Sequence, residues 1–313
     1  MEEPVALPCD PTDPEQAAVV DALLRRAAEA AGDHALSEQA RRARAHGEVV
    51  AVVVTVGGGD SGGPMVAGYG QLRLPAHEAG AGAEPLAEGE VVVDPAADRA
   101  SVLPALLVGL ADEADRRRRP VRLWITRPDD AVDAAARTCG FAAERDLLQL
   151  RCPLPLTVAA PDHRRTRSFH PGQDDEAWIE ANNRAFAGHP EQGRWDRSIL
   201  AERMAEPWFD PDGFRVLDAD GDVGIAAWCW TKMHSTTTPP MGEIYVIGVD
   251  PSAQGRGLGR LLAVDGLDWL AGRGLTTGML YVDAANETAR DLYASLGFTE
   301  HHRDRAYLRS PTT

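Results

Sequence analysis

The chain has 313 residues, 44% of them hydrophobic, and a formal net charge of −16. This length favours two domains over one, and the hydrophobic content suffices for two cores. The acidic balance argues against a nucleic-acid partner, because phosphate binding requires a basic surface.

Composition also bears on the compartment of the protein. No apolar run reaches about 18 residues, and the N-terminus lacks the basic and apolar regions of a signal peptide, so we expect no membrane association. The four scattered cysteines show no metal-ligand spacing and are typical of free thiols. We therefore expect a cytoplasmic monomer without a bound metal.

Hydrophobic periodicity and β-branched runs predict alternating helices and strands in the first half. The predicted elements are, in chain order, a helix (Glu15–Ala31), a helix from about Glu38, a hairpin (Val49–Val56 with Met65–Leu72), a strand (Val91–Val93), a helix (Val102–Arg116), a strand (Val121–Ile125), a helix (Asp130–Thr138) and a last strand.

The second half predicts the same order of elements. They are a helix (Asp174–Ala187), a helix from about Trp195, a hairpin (Phe214–Leu217 with Val223–Thr231), a strand (Ile244–Val249), a helix (Arg260–Ala271), a strand (Thr277–Val282), a helix (Asn286–Leu296) and a last strand. Proline and arginine replace the periodic pattern near Arg151–Arg167, where we expect the two halves to join.

Three pairs of matching landmarks indicate that the two halves are repeats. GEIYVIGVDP (242–251) and LYASLGF (292–298) correspond to GEVVVDP (89–95) and AARTCGF (135–141), and HPEQ (189–192) corresponds to LSEQ (36–39). Their spacings agree to within a few residues, which indicates a tandem duplication of about 150 residues. We therefore predict one domain over 1–150 and a second over 151–313.

The most informative segment of the second half runs from Glu243 to Gly259. An apolar strand leads into a glycine-rich turn, and a helix follows from Arg260. Glycines allow close backbone approach, and the unpaired N–H groups at a helix start attract anions. Strand, turn and helix start therefore predict a pyrophosphate-binding site.

Two other motifs are interpreted as structural. Gly59–Pro64 reads GDSGGP, as around a protease serine, but only about sixty residues precede it and no histidine has the expected flanking sequence. We interpret it as a glycine-rich turn between strands. The segment GRGLG at 255–259 lacks the third glycine of a dinucleotide fingerprint, because position 260 is Arg.

The spacing Gln254-x-x-Gly257-x-Gly259 resembles the pyrophosphate loop of the GCN5-related N-acetyltransferase (GNAT) family. The resemblance implies a mixed, mostly antiparallel α/β sheet in each half and acetyl-CoA as the acetyl donor. It also implies a general base at Glu243 and a general acid at Tyr293, which would protonate the leaving thiolate. The cofactor contacts implied by the resemblance are Ile247, Gly248, Val249, Gln254, Gly255, Arg256, Gly257, Leu258, Gly259, Arg260, Asn286, Glu287, Thr288, Ala289, Arg290 and Asp291.

Further motifs, HPEQG (189–193), WCWTK (228–232) and LYVDAANETA (280–289), are similar to those of the mycothiol synthase family within the GNAT enzymes. That resemblance implies acetylation of the cysteinyl amine of desacetylmycothiol, a cysteine–glucosamine–inositol conjugate. The acceptor contacts that it implies are Glu38, Glu191, Lys232, Glu243 and Tyr281.

The first half departs from this pattern. Its counterpart of the glycine turn, Ala97–Leu103, contains no glycine, and Ala136 stands where Tyr293 stands. Glu90 keeps the place of Glu243. We therefore expect the first half to be catalytically silent. Two alternatives stay open: a GNAT enzyme for another amine, such as a protein N-terminus or an aminoglycoside, and a non-catalytic acyl-CoA sensor.

Overall fold

The computed structural model describes residues 4–57, 65–74, 86–157, 166–188, 192–220, 224–235 and 237–311. The chain divides into two compact units, the first formed by residues 1–147 with 302–313 and the second by residues 148–301. The GDSGGP motif at 59–64, Glu191 and Val223 lie outside the described residues.

Eight helices and twelve strands occur in the described residues. The helices are α1 (Pro14–Ala31), α2 (Glu38–Ala45), α3 (Arg99–Arg116), α4 (Asp130–Thr138), α5 (Asp175–Ala185), α6 (Arg197–Met204), α7 (Leu258–Gly272) and α8 (Glu287–Ser295). The strands are β1 (Ala6–Cys9), β2 (Val49–Val56), β3 (Met65–Arg73), β4 (Ala87–Val93), β5 (Val121–Thr126), β6 (Ala142–Pro153), β7 (Thr166–Ser168), β8 (Phe214–Asp218), β9 (Ile225–His234), β10 (Met241–Val249), β11 (Thr277–Asp283) and β12 (Thr299–Arg309).

The first unit is a sheet in the order β1-β2-β3-β4-β5-β12-β6. The pairs β1–β2, β2–β3, β3–β4 and β5–β12 are antiparallel, whereas β4–β5 is parallel. One face packs against α3, whose buried stripe includes Leu103, Leu106 and Leu110. The other face packs against α1 and α2 through a smaller cluster around Tyr69. Helices thus cover both faces of the sheet, which explains why β2 and β3 are apolar along most of their length.

The second unit repeats this plan in the order β6-β11-β10-β9-β8-β7. Here β7–β8, β8–β9 and β9–β10 are antiparallel and β10–β11 is parallel. Helix α7 covers one face, and α5 and α6 cover the other over an aromatic cluster centred on Trp178, Trp228 and Trp230. The predicted mixed and mostly antiparallel fold is confirmed.

The last strand differs from the sequence-based expectation. We predicted residues 151–313 as one domain, but residues 302–313 belong to the first unit. The reason is that β12 pairs with β5 over Asp304–Arg309 and Val121–Thr126. Side chains fix the strand there: the Arg305 guanidinium donates to both Asp133 and Asp146 at 2.7–3.0 Å.

Arg305 therefore provides a test of how β12 stabilises the first unit. Its side chain and both carboxylates are about four-fifths buried, with exposed fractions of 22%, 22% and 16%. Arg305→Met leaves two carboxylates without their shared donor, and we expect the free energy of unfolding to fall by about 1–3 kcal/mol. Urea denaturation followed by circular dichroism measures this difference.

The control is Arg197→Met, which removes the exposed pair between Arg197 and Glu176, at 74% and 57% exposure; we expect less than about 0.5 kcal/mol there. A hydrogen bond from Arg305 lowers the pKa of Asp146, and hydrogen bonds from Tyr307 and Arg305 lower the pKa of Asp133. A carboxyl group with a lowered pKa stabilises the folded state when the pH is above its unfolded pKa of about 3.9. This stabilisation is lost as the pH falls through the folded-state pKa. The Arg305→Met difference should therefore shrink below about pH 4. Equal losses for the two variants would contradict this account.

Candidate active site

The central strand β10 separates from its parallel neighbour partway along. Its pairing with β11 covers only Gly242–Ile244 against Gly278–Leu280. Its antiparallel pairing with β9 continues to Val249, across a bulge between Ile244 and Val246. Bulges bend the bulged strand and disrupt the ladder locally. On the side of β11, the backbone from Val246 to Val249 is therefore outside the strand ladder, where an extended ligand can pair with it.

The predicted cofactor residues Ile247, Gly248 and Val249 lie in this part of β10. At Gly248 an added Cβ would lie 2.3 Å from Cζ2 of Trp228. Only glycine fits at this position, because the indole of Trp228 occupies the space where a side chain would lie. The aromatic cluster therefore packs directly against the backbone of β10 at this point.

The predicted glycine turn leads from β10 into α7. Gly255 and Gly257 have φ values of +75° and +74°, in the left-handed region that favours glycine. Gly257 is the N-cap of α7, and no side chain caps this helix. The first N–H groups of α7, from Leu258, Gly259 and Arg260, therefore have no hydrogen-bond partner within the helix. They lie at the positive end of the helix dipole, which favours an anion. A helix start of this kind can bind a phosphate group.

Polar side chains surround this turn. Arg256 pairs with Asp220 at 2.7 Å, Arg260 donates to Oγ of Ser295 at 2.6 Å, and Gln254 Nε2 lies 3.5 Å from the carbonyl of Val249. The guanidinium groups of the two arginines are partly exposed, and both lie at the helix start that would receive a phosphate.

The predicted contacts at 286–291 form the beginning of α8. Asn286 is the N-cap, and its Oδ1 accepts a hydrogen bond from the Ala289 N–H at 3.1 Å. Glu287, Thr288, Ala289, Arg290 and Asp291 make up the first turns. Arg290 donates to the carbonyl of Ala284 at 3.0 Å. The structure thus gives Asn286 a helix-capping role that is compatible with a second role towards a ligand.

Glu243 lies on the closed part of β10, on the face covered by α5 and α6. It is 8% exposed, and its Oε2 is 2.7 Å from Nε2 of His234, which is equally buried. Sequence reasoning missed His234, because the histidines were searched for metal-ligand spacing. The antiparallel register could have indicated it: Glu243 faces Lys232, and His234 lies two residues farther along the same face of β9.

Lys232 is also buried, at 6% exposure. Its ammonium lies 4.7 Å from the ring centroid of Trp208 and 5.3 Å from that of Tyr245. Such cation–π contacts stabilise a desolvated ammonium. The structure thus places the predicted acceptor residues Glu243 and Lys232 on one face, directly opposite each other in the strand register.

The two predicted tyrosines have different environments. Tyr293 on α8 is 6% exposed and packs edge-on against Phe298. Burial raises the pKa of Tyr293, and the neighbouring Cys229 raises it further, so the phenol is protonated at neutral pH. Tyr281 on β11 is 39% exposed, and its hydroxyl accepts a hydrogen bond from Gln149 Nε2 at 2.7 Å.

The remaining predicted acceptor residues cannot be assembled with these. Glu38 is half-buried in the first turn of α2, in the first unit, and Glu191 lies outside the described residues. Within the described residues, no group of three or more His, Cys, Asp or Glu side chains has the geometry of a metal site. None of the described helices is long and apolar enough to cross a membrane.

The counterpart of this site in the first unit differs in three ways. Glu90 faces Gln71, and no bulge interrupts the described β3–β4 ladder. Glu90 lies four residues before Asp94, whereas Glu243 lies seven residues before Asp250. The strand between carboxylate and turn is thus three residues shorter. Because one of the three extra residues of β10 forms the bulge, the difference in length is about 7 Å.

The helix start is also occupied in the first unit. Asp98 is the N-cap of α3, and its carboxylate accepts a hydrogen bond from the Ala100 N–H at 3.2 Å. A carboxylate therefore lies where α7 offers uncapped N–H groups to a phosphate.

Known proteins resemble this chain in sequence and in fold. A family model described as "Acetyltransferase (GNAT) family" matches residues 176–298. A mycothiol acetyltransferase of Thermomonospora curvata is 47% identical over 251 residues, which cover 79% of this chain and 80% of the relative. A mycothiol acetyltransferase of Streptomyces coelicolor is 40% identical over 303 residues, which cover 94% and 92%. A solved "Tandem GNAT protein from the clavulanic acid biosynthesis pathway" has the same fold, with a TM-score of 0.71 at 19% identity over 99% of this chain and 100% of that chain.

The parted central strand and the uncapped helix after a glycine turn, with these matches, define an acetyltransferase of the GNAT type. At the identities and coverages given, the chain belongs to the mycothiol acetyltransferase family. The resemblance stated from the sequence motifs is thereby confirmed.

The glycine turn can be tested with a pair of matched variants. Gly257 and Gly274, near opposite ends of α7, have φ values of +74° and +83°, and an added Cβ meets nothing within 4 Å at either position. Substitution by Asp imposes a similar backbone strain of about 1–2 kcal/mol on both, but only Gly257→Asp puts a negative charge at the uncapped helix start. We expect Gly257→Asp to weaken coenzyme A binding at least tenfold and Gly274→Asp to leave it within about twofold. Isothermal titration calorimetry distinguishes these outcomes, and equal affinities would exclude the turn as the phosphate site.

Proposed function

We propose that this protein transfers the acetyl group of acetyl-CoA to the cysteinyl amine of desacetylmycothiol, and that the second unit carries out the chemistry. The observation that carries the proposal is the 40–47% identity to mycothiol acetyltransferases, combined with the glycine turn and the uncapped start of α7 in the second unit.

In this proposal the donor binds along the open part of β10. Backbone groups of Ile247–Val249 pair with the pantetheine arm, as an additional strand would. The pyrophosphate lies on the uncapped N–H groups of α7, with Arg256 and Arg260 beside it. The predicted contacts from Asn286 to Asp291, at the beginning of α8, complete the cofactor site.

Acetyl transfer then requires three steps from the protein. The acceptor ammonium gives a proton to Glu243, and the neutral amine attacks the thioester carbon. Backbone N–H groups of the open part of β10 stabilise the oxygen as it gains charge. When the carbon–sulfur bond breaks, the Tyr293 hydroxyl gives its proton to the thiolate. The raised pKa of Tyr293 keeps that proton available at neutral pH. The nitrogen loses its second proton as the amide forms, and this proton returns to the Tyr293 phenolate through solvent, while Glu243 releases its own proton to solvent.

The acceptor contacts are proposed from the family motif. Lys232 and Glu243 form one polar face of the acceptor site, and Tyr281 lies two residues beyond Met279, which pairs with Glu243 on β11. Hydroxyl groups of the sugar and inositol rings suit charged partners, because charge-assisted hydrogen bonds are strong. Glu38 and Glu191 complete the proposed set.

We further propose that the first unit is catalytically silent. Its central strand is too short to separate carboxylate and phosphate site as β10 does, and Asp98 occupies the helix start. The four cysteines are free thiols, which supports a reducing cytoplasm. The monomeric state stays a prediction.

The activity test must allow for the thiol of the acceptor, which reacts with thiol reagents and could itself be acetylated. Purified protein with acetyl-CoA and desacetylmycothiol should release coenzyme A, measured by chromatography, and yield a product that gains one acetyl group and keeps a free thiol. A peptide amine and an aminoglycoside serve as competing acceptors. Preference for either would overturn the acceptor assignment while keeping acetyl transfer, and no release with any amine would favour the sensor alternative.

The two duplicated carboxylates provide a matched pair for the base. We expect Glu243→Gln to lower kcat at least tenfold while coenzyme A affinity stays within about twofold, because the amide cannot accept the proton. Glu90→Gln should leave kcat within about twofold. Steady-state kinetics and calorimetry on both variants check this. Unchanged turnover in Glu243→Gln would remove Glu243 from the role of base.

A further inference from the structure

We propose that His234 is a positioning residue for the general base, holding one carboxylate oxygen of Glu243 so that the other faces the acceptor amine. The proposal rests on the proposed function, since it assumes that Glu243 accepts the proton. It concerns a residue that neither the motifs nor the matched family description singled out.

The contact between the two side chains carries the proposal. His234 Nε2 and Glu243 Oε2 are 2.7 Å apart, and both residues are 8% exposed. A carboxylate buried to this extent requires a hydrogen-bond donor, because desolvation disfavours its charged form. We assign the donor role to Nε2–H of the imidazole, since a carboxylate oxygen only accepts.

The end of the β9–β10 hairpin keeps the imidazole in place. The side chain of Thr237 is buried, and its Oγ1 lies 3.0 Å from the carbonyl oxygens of both His234 and Pro239. The two carbonyls share the single hydroxyl proton as acceptors. On β10, Met241 pairs with His234 in the strand register and is 1% exposed. The backbone that carries the imidazole is therefore fixed on both sides.

Among the described residues of the second unit, few other titratable groups lie on this face of the sheet near the pair. On this face Lys232 of β9 lies over the rings of Trp208 and Tyr245, and Tyr281 of β11 lies farther along the sheet. The segment 237–240 contains only Thr and Pro. Helix α5, which packs against both β9 and β10, buries only neutral residues: Trp178, Ile179, Ala181 and Asn182.

In the reaction, the two oxygens of the Glu243 carboxylate have different roles. Oε2 accepts the hydrogen bond from His234 throughout, and Oε1 takes the proton that the acceptor ammonium loses. The proton then resides on Oε1 of the neutral carboxylic acid, and the freed electron pair of the amine attacks the thioester. His234 neither gains nor loses a proton in this step, which distinguishes it from a general base.

The test compares His234→Phe, which removes the donor, with His234→Gln, whose side-chain amide can reach the same oxygen. We expect His234→Phe to lower kcat at least tenfold, with the KM for acetyl-CoA within about twofold of that of the unaltered protein. The acidic limb of the kcat/KM–pH profile should move to higher pH by about one unit, because a carboxylate without its donor ionises less readily. His234→Gln should restore kcat to within about fivefold and keep the limb near its original position.

A matched control is His302→Phe in the first unit, where the histidine side chain is 8% exposed, against 7% for the side chain of His234. It should leave kcat and the pH profile unchanged, which separates the specific effect from general destabilisation. If His234→Phe fails to fold, His234→Asn replaces it, and its shorter amide should fall at least threefold below His234→Gln in kcat.

Two results would overturn the proposal: an unshifted pH profile with full kcat in His234→Phe, or no advantage of Gln over Asn. Failure of the proposed function has a different appearance, because the unaltered protein would then show no acetyl transfer. Direct calorimetric binding of coenzyme A is measured for every variant, so that loss of the donor site is not mistaken for loss of the base.

Discussion

The parallel pairing between β10 and β11 stops after three residues, and the arrangement of the second unit depends on this stop. Before it, Glu243 is held in a closed sheet with partners on both neighbouring strands. After it, the backbone of β10 keeps only its β9 partner and can receive a ligand on the other side. The aromatic cluster supports this exposed length of strand from below, where Trp228 leaves no room for a side chain at position 248.

Comparison of the two units separates the features that they share from those that occur in the second unit alone among the described residues. Both units tie the end of the central strand to their first helix with one ion pair, Arg26 with Asp94 and Arg184 with Asp250. Only the second unit has the bulge and the longer strand. Because the distance between carboxylate and helix start is set by strand length, restoring glycines alone would not recreate the site in the first unit.

Much of this could be predicted from local patterns. Alternating and apolar runs located the strands, and the glycines at 255 and 257 predicted the turn because the left-handed region selects for glycine at those positions. Helix ends were less well predicted. Helix α3 begins at Arg99, three residues before the predicted start, because the Asp98 cap was not recognised. Pairings between distant segments were beyond local reasoning.

The place of β12 in the first unit is one such pairing. Its sequence predicts a strand but does not say which neighbour it joins, since that depends on carboxylates at 133 and 146 meeting arginines more than 150 residues later. The contact between His234 and Glu243 depends likewise on strand pairing, in this case on the register of β9 against β10.

The two duplicated carboxylates, Glu90 and Glu243, differ in their hydrogen-bond partners. Glu90 accepts hydrogen bonds from both the backbone N–H and the hydroxyl of Ser37, the N-cap of α2. Burial raises the pKa of Glu90, and the two bonds from Ser37 oppose that rise. Both oxygens of Glu90 are thus engaged in fastening α2 to β4. Among the described residues, Glu243 has a hydrogen bond from His234 on one oxygen, Oε2. A carboxylate held by two donors on both oxygens serves as a structural tie, whereas one held on a single oxygen can still accept a proton on the other.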